Sequence, residues 1–427
     1  MSDGGGDGLS RFSPKPGEAG WLYVDFDSYF ASCEQLLRSE LRGKPLAVVP
    51  VMADTTCAIA ASYEAKAFGV KIGTPIWRAK KLCPGLILVP ARHDAYVRLH
   101  EQAKEAIETC HPVTAVCSID EIACRLGGRD REPEAARELA RTIKETLATA
   151  IGSALHCSIG ISSNMFLAKI AADFDKPNGL SMLLPEELPG KLLDLKLTDL
   201  TGIARAMGAR LHQAGVAGMA ELWALSPRRM RQIWGGVEGE RYWHKLHGYD
   251  LPSLETHRST IGHSRVQEPR LRTPELAFYV ARRLLLKAVS RMRRLRYCAG
   301  ALDLSVRFMD RTRWHGRRRI KASDDSLLFL EILSALWQEM LNRGSAGTML
   351  TIGVCLSELL ETENATADLL TWEPEAKSHA GLCAAMDRIH QRFGRKALTV
   401  GIEPAQLADL GTKIAFTRVP EASEFDE

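Results

Sequence analysis

The segment WLYVDFDSYF (21–30) sets tight limits on how this 427-residue chain can fold. Five of its first six residues are apolar or aromatic and rich in β-formers, which predicts a buried strand running directly into a helix. Asp25 and Asp27 stand at that junction, where an unneutralised buried carboxylate is costly. A second acidic pair, Asp120 and Glu121, falls in AVCSIDEIACRL (115–126), a pattern that predicts a strand–turn–strand hairpin with the acids at its apex. Both pairs sit at strand ends, so one sheet edge can gather them. Hard oxygen donors of this kind suit Mg²⁺, whose coordination is commonly completed by substrate phosphates. Three carboxylates bridging two divalent ions is the arrangement for in-line phosphoryl or nucleotidyl transfer. On spacing alone, such acids are more often turn or cap residues.

The remaining pattern alternates short strands with helices. A helix is expected over SYFASCEQLLRSELRG (28–43), where Phe30, Cys33, Leu36, Leu37 and Leu41 keep helical spacing and Gly43 supplies a stop. PLAVVPV (45–51) predicts a buried strand, CAIAASYEAKAFGV (57–70) a strand and helix, and IWRAKKLCPG (76–85) a short helix. Residues 94–109 and 132–152 predict longer helices, and HCSIGIS (156–162) a strand. Short helices and Gly-rich turns follow, and 248–260 reads as a linker. Then TIGHSRV (260–266), a helix over 274–295, strands in 300–309 and 312–322, a helix over 326–342 and MLTIGVCL (349–356) give a β-α-β-β-α-β order. That order implies a two-layer α+β unit with one open sheet face. A tail helix (379–393), a strand (413–419) and an acidic end complete the chain.

The formal net charge of +4 hides an uneven distribution. Residues 258–321 hold 18 Lys/Arg against 4 Asp/Glu, whereas the other residues hold 38 against 48. One strongly basic block on a mildly acidic body suggests a polyanion partner, with a solvated basic face as the plainer reading. No apolar run approaches the roughly 18–20 residues needed to span a bilayer. Residues 1–20 lack the features of a signal peptide and predict a disordered leader. Ten cysteines without CxxC or paired Cys/His spacing indicate neither zinc nor disulfides, which fits a reducing, cytoplasmic setting. Cys33, Cys57, Cys117, Cys157 and Cys355 lie among apolar neighbours and are expected as small core fillers. Tyr63 and Lys66 at helical spacing, with Lys169 and Lys176 near a turn, could meet a phosphate chain; singly, each lysine reads as surface charge.

Together, VDFDSYFASCEQ (24–35), ASYEAKAFGVKIGTP (61–75), KKLCPGL (80–86), CSIDEIA (117–123) and SIGISSNMFLAKIAADFDKPNG (158–179) resemble the Y-family DNA polymerases, the translesion enzymes, and most closely their bacterial polymerase IV branch. The resemblance runs from about residue 21 to 358, and 385–398 is similar to the tail of bacterial members. It implies a right-hand α+β architecture: palm (21–30 and 93–184), fingers (31–92), helical thumb (185–252), little finger (258–358) and a C-terminal extension (359–427). It further implies that Asp25, Asp120, Glu121 and the Phe26 carbonyl bind two Mg²⁺ ions, with Mn²⁺ able to stand in. Phe30 matches the steric gate against ribonucleotides, and Tyr63, Lys66 and Lys176 match contacts to the incoming dNTP. The basic block falls on the little finger, so Arg307, Arg311, Arg313, Arg317, Arg318 and Arg319 are expected to grip primer–template DNA. On residue type alone, Phe30 is a core aromatic, and Trp314 serves equally as a stacking or a structural residue.

Three departures stand out. Lys66 replaces an arginine usual in the family, keeping charge but losing the bidentate fork. Ala60 stands where a threonine is common, and Ala204 replaces the second glycine of a helix-hairpin-helix turn in LTGIARAMGARL (200–211). A sliding-clamp peptide is expected before the tail helix; ATADLLTW (365–372) and QLADL (406–410) are both imperfect versions. The expectation is a monomeric, low-fidelity polymerase acting on DNA and dNTPs without a membrane. A non-catalytic, polymerase-like accessory protein and a nucleotide cyclase-like enzyme are the alternatives. The intact acids disfavour the first, and the basic block has no use in the second.

Overall fold

A computed structural model of the chain describes residues 12–254, 257–343, 347–364, 379–394, 397–401, 404–407 and 419. The chain divides between Ser253 and Leu254 into two compact units. The first contains β1 (Trp21–Phe26), α1 (Tyr29–Leu37), β2 (Leu46–Val49), β3 (Ala60–Ala61), α2 (Tyr63–Ala67), α3 (Ile76–Leu82), β4 (Ile87–Pro90) and α4 (His93–Cys110). It continues through β5 (Ala115–Val116), β6 (Glu121–Arg125), α5 (Pro133–Ala150), β7 (Cys157–Ser162), α6 (Met165–Ala172) and β8 (Leu180–Leu183). Four helices close it: α7 (Arg205–Gln213), α8 (Met219–Trp223), α9 (Pro227–Trp234) and α10 (Val237–Leu246).

Five strands form the central sheet in the order β5-β6-β1-β7-β8. β1 lies antiparallel to both β6 and β7, and Leu22 through Phe26 are all buried, which is why this strand reads as a continuous apolar run rather than an alternating one. Helix α6 packs closely because β7 carries Gly160; a Cβ there would stand 2.0 Å from the Ala168 carbonyl oxygen. A smaller sheet, β3-β2-β4, supports α2 and α3. Helices α7–α10 share a core with α6 through Leu167, Ile170, Leu211, Met230, Tyr242 and Leu246.

The second unit holds β9 (Thr260–Val266), α11 (Pro274–Arg294), β10 (Tyr297–Phe308), β11 (Arg313–Ser323), α12 (Ser326–Asn342), β12 (Met349–Glu361) and α13 (Ala380–Phe393). Its four strands pair antiparallel in the order β11-β10-β12-β9. Residues of α11 and α12 share one core with one face of the sheet, among them Leu285, Met292, Phe329, Leu333 and Trp337. The tail helix α13 is clamped to α11 where Arg293 donates to both carboxylate oxygens of Asp387, at 2.6 and 2.9 Å.

Several expectations change. Helix α1 stops at Leu37, and only a 3-10 turn, Ser39–Leu41, follows it before Gly43. Strands β4 and β8 are additions to the expected pattern, being four residues each and lacking alternation. Cys57 is exposed, and Cys117 and Cys355 are half-buried, so only Cys33 and Cys157 of the five are core fillers. Trp314 belongs to the core, which favours its structural role over stacking. In the helical region Gly202 keeps a left-handed φ of 91° while α7 starts after Ala204, which offers no side-chain cap. The expected strand over 413–418, the clamp peptide at 365–372, and residues 408–410 of its alternative lie outside the described residues.

Candidate active site

The pairing of β1 with β6 brings the two acidic segments together. Asp25 stands opposite Glu121 in register, and the Phe26 amide donates to the Asp120 carbonyl at 2.8 Å. The hairpin apex is tied by Ser118, whose hydroxyl lies 2.5 Å from Asp120 Oδ1 and 3.2 Å from Glu121 Oε2. Asp25, Asp120 and Glu121 thus share one sheet edge although 95 residues separate the first from the second.

Burial dominates the electrostatics here. It pushes the Asp25 carboxyl up to about 7 against the pull of Lys176, and it raises Asp120 despite the hydrogen bond from Ser118. Lys176 Nζ sits 2.8 Å from both Asp25 Oδ1 and Asp173 Oδ1. Lys169 is ion-paired with Glu121. These lysines, expected on phosphate, therefore engage the carboxylates. Lys66 stands with its ammonium 4.1 Å from the Tyr63 ring centroid, and burial and the charge of Lys176 depress its basicity.

Asp27 has a different role from Asp25. It is 2% exposed and accepts hydrogen bonds from the Tyr63 hydroxyl at 3.1 Å, the Ser158 hydroxyl at 3.0 Å and the Asn178 amide at 2.7 Å. Its oxygens are committed to joining α2 to the central sheet, which leaves Asp25 as the acid of VDFD at the carboxylate edge. Between them and the helix, Ser28 takes a left-handed φ of 49°, the sharp reversal that lets strand pass directly into helix. Phe30 is 5% exposed, stacked on Tyr96 at 4.6 Å and edge-on to His93. Glu34, which sequence reasoning missed, is fully buried and bonded by Arg38, Arg92 and the Tyr96 hydroxyl. Its i,i+4 spacing to Arg38 is the only local signal.

Among the described residues, no three His, Cys, Asp or Glu side chains are gathered closely enough to hold a metal ion as they stand. The donor chemistry nonetheless fits a hard divalent cation: three carboxylates at one edge, two with proton affinity raised by burial that the lysines do not fully offset.

In the second unit, the sheet face left open by α11 and α12 carries Arg307, Arg313, Arg317 and Arg319, whereas Arg318, opposite the core residue Leu302, lies on the helix-covered side. Arg317 Nη2 and Arg319 Nε each lie 2.8 Å from Glu358 Oε1, and Arg318 is 3.6 Å from Glu339. Among the described residues, Arg307, Arg311 and Arg313 are exposed and paired with no carboxylate. On α11, Arg282 and Arg283 donate to the carbonyls of Val400 and Leu407. With Arg293, they anchor the C-terminal segment, so these three are not simply solvated.

A sheet edge bearing three carboxylates, followed by an arginine-rich α+β unit, suits a DNA-directed DNA polymerase, and the chain's relatives put it in that class. The fold is matched by a solved Y-family DNA polymerase chimera of Dbh and Dpo4, with TM-score 0.66, 24% identity, and 80% of this chain and 99% of that one covered. The chain belongs to the impB/mucB/samB family: residues 24–173 match that family, and 258–369 match its C-terminal domain. It is 30% identical over 406 residues to DNA polymerase IV 2 of Mesorhizobium japonicum, covering 90% of this chain and 95% of that protein. Against DNA polymerase IV of Bacillus velezensis it is 27% identical over 392 residues, covering 89% and 92%.

Proposed function

We propose that this polymerase performs low-fidelity, template-directed nucleotidyl transfer from dNTPs to a primer 3′-hydroxyl, as a cytoplasmic monomer serving DNA damage tolerance. The observation that carries this reading is the register of Asp25 against Glu121, with Asp120 at the same edge. The names of the relatives support DNA and nucleotides as partners. So does likeness to a solved ternary complex of Dbh, 25% identical with TM-score 0.51, in which 79% of this chain and 98% of that one are covered. Residues 21–30 and 93–184 act as palm, 31–92 as fingers, 185–252 as thumb and 258–358 as little finger.

Asp25, Asp120, Glu121 and the Phe26 carbonyl would hold two Mg²⁺ ions, which when bound lower the pKa of the attacking hydroxyl and steady the leaving pyrophosphate. The chain's own groups do the rest. Ser118 orients the two acids of the hairpin. Lys176 and Lys66 supply point charge to the triphosphate, without the bidentate geometry an arginine would add. Tyr63, fixed by Asp27, positions that triphosphate. Phe30, held against Tyr96, fills the volume a ribose 2′-hydroxyl would need. Arg307, Arg311 and Arg313 meet the duplex backbone first, and Arg317, Arg318 and Arg319 contribute charge already shared with Glu358 and Glu339. A sliding clamp would be recruited through 365–372 or 406–410; unchanged capture by the clamp after Leu369, Leu370 and Trp372 are replaced by Ala would exclude the first of these peptides.

Single-nucleotide incorporation opposite each of the four template bases tests the reading. The added nucleotide should follow the template base, with frequent mismatches; addition independent of the template contradicts it. With rNTPs, Phe30→Ala should incorporate at least about tenfold more than the wild type, and an unchanged ratio would remove Phe30 from the gate.

A further inference from the structure

From Ala65 to His93 the chain holds six Lys/Arg and no Asp or Glu. Within that stretch Phe68, Ile72 and Trp77 are 51%, 66% and 54% exposed. These side chains do not hang from a loose loop. Val70, Ala79 and Cys83 turn inward into one core with Ala61 and Ala65, which fastens the 68–75 connection to α3. The Thr74 carbonyl and the Gly73 amide both bond to Ala58, so the connection is also stitched to the segment preceding β3. The exposed rings and Ile72 are thus presented by a packed substructure. Lys81 Nζ lies 5.5 Å from the Trp77 ring centroid, and Lys71 and Arg78 are exposed beside it in sequence. Lys80 is drawn off by Asp54 at 2.6 Å.

Aromatic side chains interleaved with cations form the platform that binds single-stranded nucleic acid, the rings stacking on bases and the cations meeting phosphates. A stretch with six cations and no acid of its own, in which Lys80 is paired with Asp54 and Arg92 with Glu34, fits a polyanion and disfavours a cationic partner. Its position adds a reason. Helix α2 starts at Tyr63, bonded to Asp27 beside the carboxylate edge, and Phe68 follows five residues later, roughly 7.5 Å along the helix axis. A template copied base by base must approach that edge unpaired.

We propose that Phe68, Ile72 and Trp77, with Lys71, Arg78 and Lys81, bind the unpaired template strand ahead of the reacting site. This assignment rests on the polymerase reading above. The test is fluorescence anisotropy of the full-length protein with a labelled oligo-dT. Phe68→Ala and Trp77→Ala should each weaken binding by about five- to a hundredfold, while Trp77→Phe retains it and Trp77→Leu does not. Affinity for blunt duplex should stay within about twofold, and thermal stability should hold because these side chains are exposed. Oligo-dT binding that is absent in the wild type, unchanged in the alanine variants or equal in Trp77→Leu overturns the proposal; the second outcome would leave the apolar surface to a protein partner. Parallel primer extension separates the two readings: a chain that extends no primer, yet loses oligo-dT affinity in these variants, keeps the stacking surface and loses the polymerase reading.

Discussion

Glu34 shows how a single buried charge is kept in this fold. Burial alone would raise its carboxyl, but hydrogen bonds from Arg92, Tyr96 and Arg38 outweigh that and hold it below the ordinary glutamate value. A carboxyl depressed in the folded chain contributes stability above its unfolded pKa and loses it as pH falls through the folded value. Glu34→Gln should therefore flatten the loss of stability below about pH 4.5. At neutral pH it should cost about 3 kcal/mol, at the low end for a broken buried pair because both guanidiniums reach solvent. Thermal melts between pH 3 and 7 measure both effects, and a variant with the wild-type acid limb would exclude this role. At the carboxylate edge, Mg²⁺ should raise the wild-type melting temperature, with a gain of about 2.7 kcal/mol at a hundred times its dissociation constant. Asp25→Asn combined with Glu121→Gln should abolish that rise, and a rise persisting in the double variant would place the ion elsewhere.

At the scale of elements, the strands and helices with strong periodicity or unbroken apolar runs are legible in the sequence. β1, the hairpin around Asp120, and the whole β-α-β-β-α-β order are where the pattern puts them. What escapes is set by partners distant in sequence. The buried Glu34 meets Arg92 58 residues on, Arg293 finds Asp387 94 residues on, and Arg317 meets Glu358 41 residues on. No local pattern carries such pairings. The role of Asp27 escapes for the same reason, since Ser158 and Asn178, 131 and 151 residues on, claim its oxygens. Trp314 is ambiguous in sequence because only the pairing of β11 turns it into the core. Its ring lies against Gly316, where a Cβ would stand 2.3 Å from the indole. Gly316→Ala should therefore destabilise the second unit by about 1–3 kcal/mol, the usual cost of overpacking, measurable by denaturant unfolding. A neutral effect would mean that the indole is free to move.

For the whole molecule, the excess of cations on 258–321 is smaller in effect than in number. Glu358, Glu339 and Asp387 neutralise part of it, and the C-terminal segment takes Arg282, Arg283 and Arg293. Removing Arg307, Arg311 or Arg313 should lower the salt dependence of DNA binding by about 0.9 log units per log salt for each phosphate no longer neutralised. Glu358→Gln, which frees Arg317 and Arg319, should tighten binding at low salt; weaker binding in that variant would show the ion pairs to be needed for the shape of the face. The central claim concerns the carboxylate edge that β1 and β6 build together. Its most direct test is primer extension in Mg²⁺ by the wild type and by Asp120→Asn combined with Glu121→Gln. Template-directed extension by the wild type, reduced at least about a thousandfold in the double variant while DNA affinity is retained, is the expected result; extension at the wild-type rate by the double variant would contradict it.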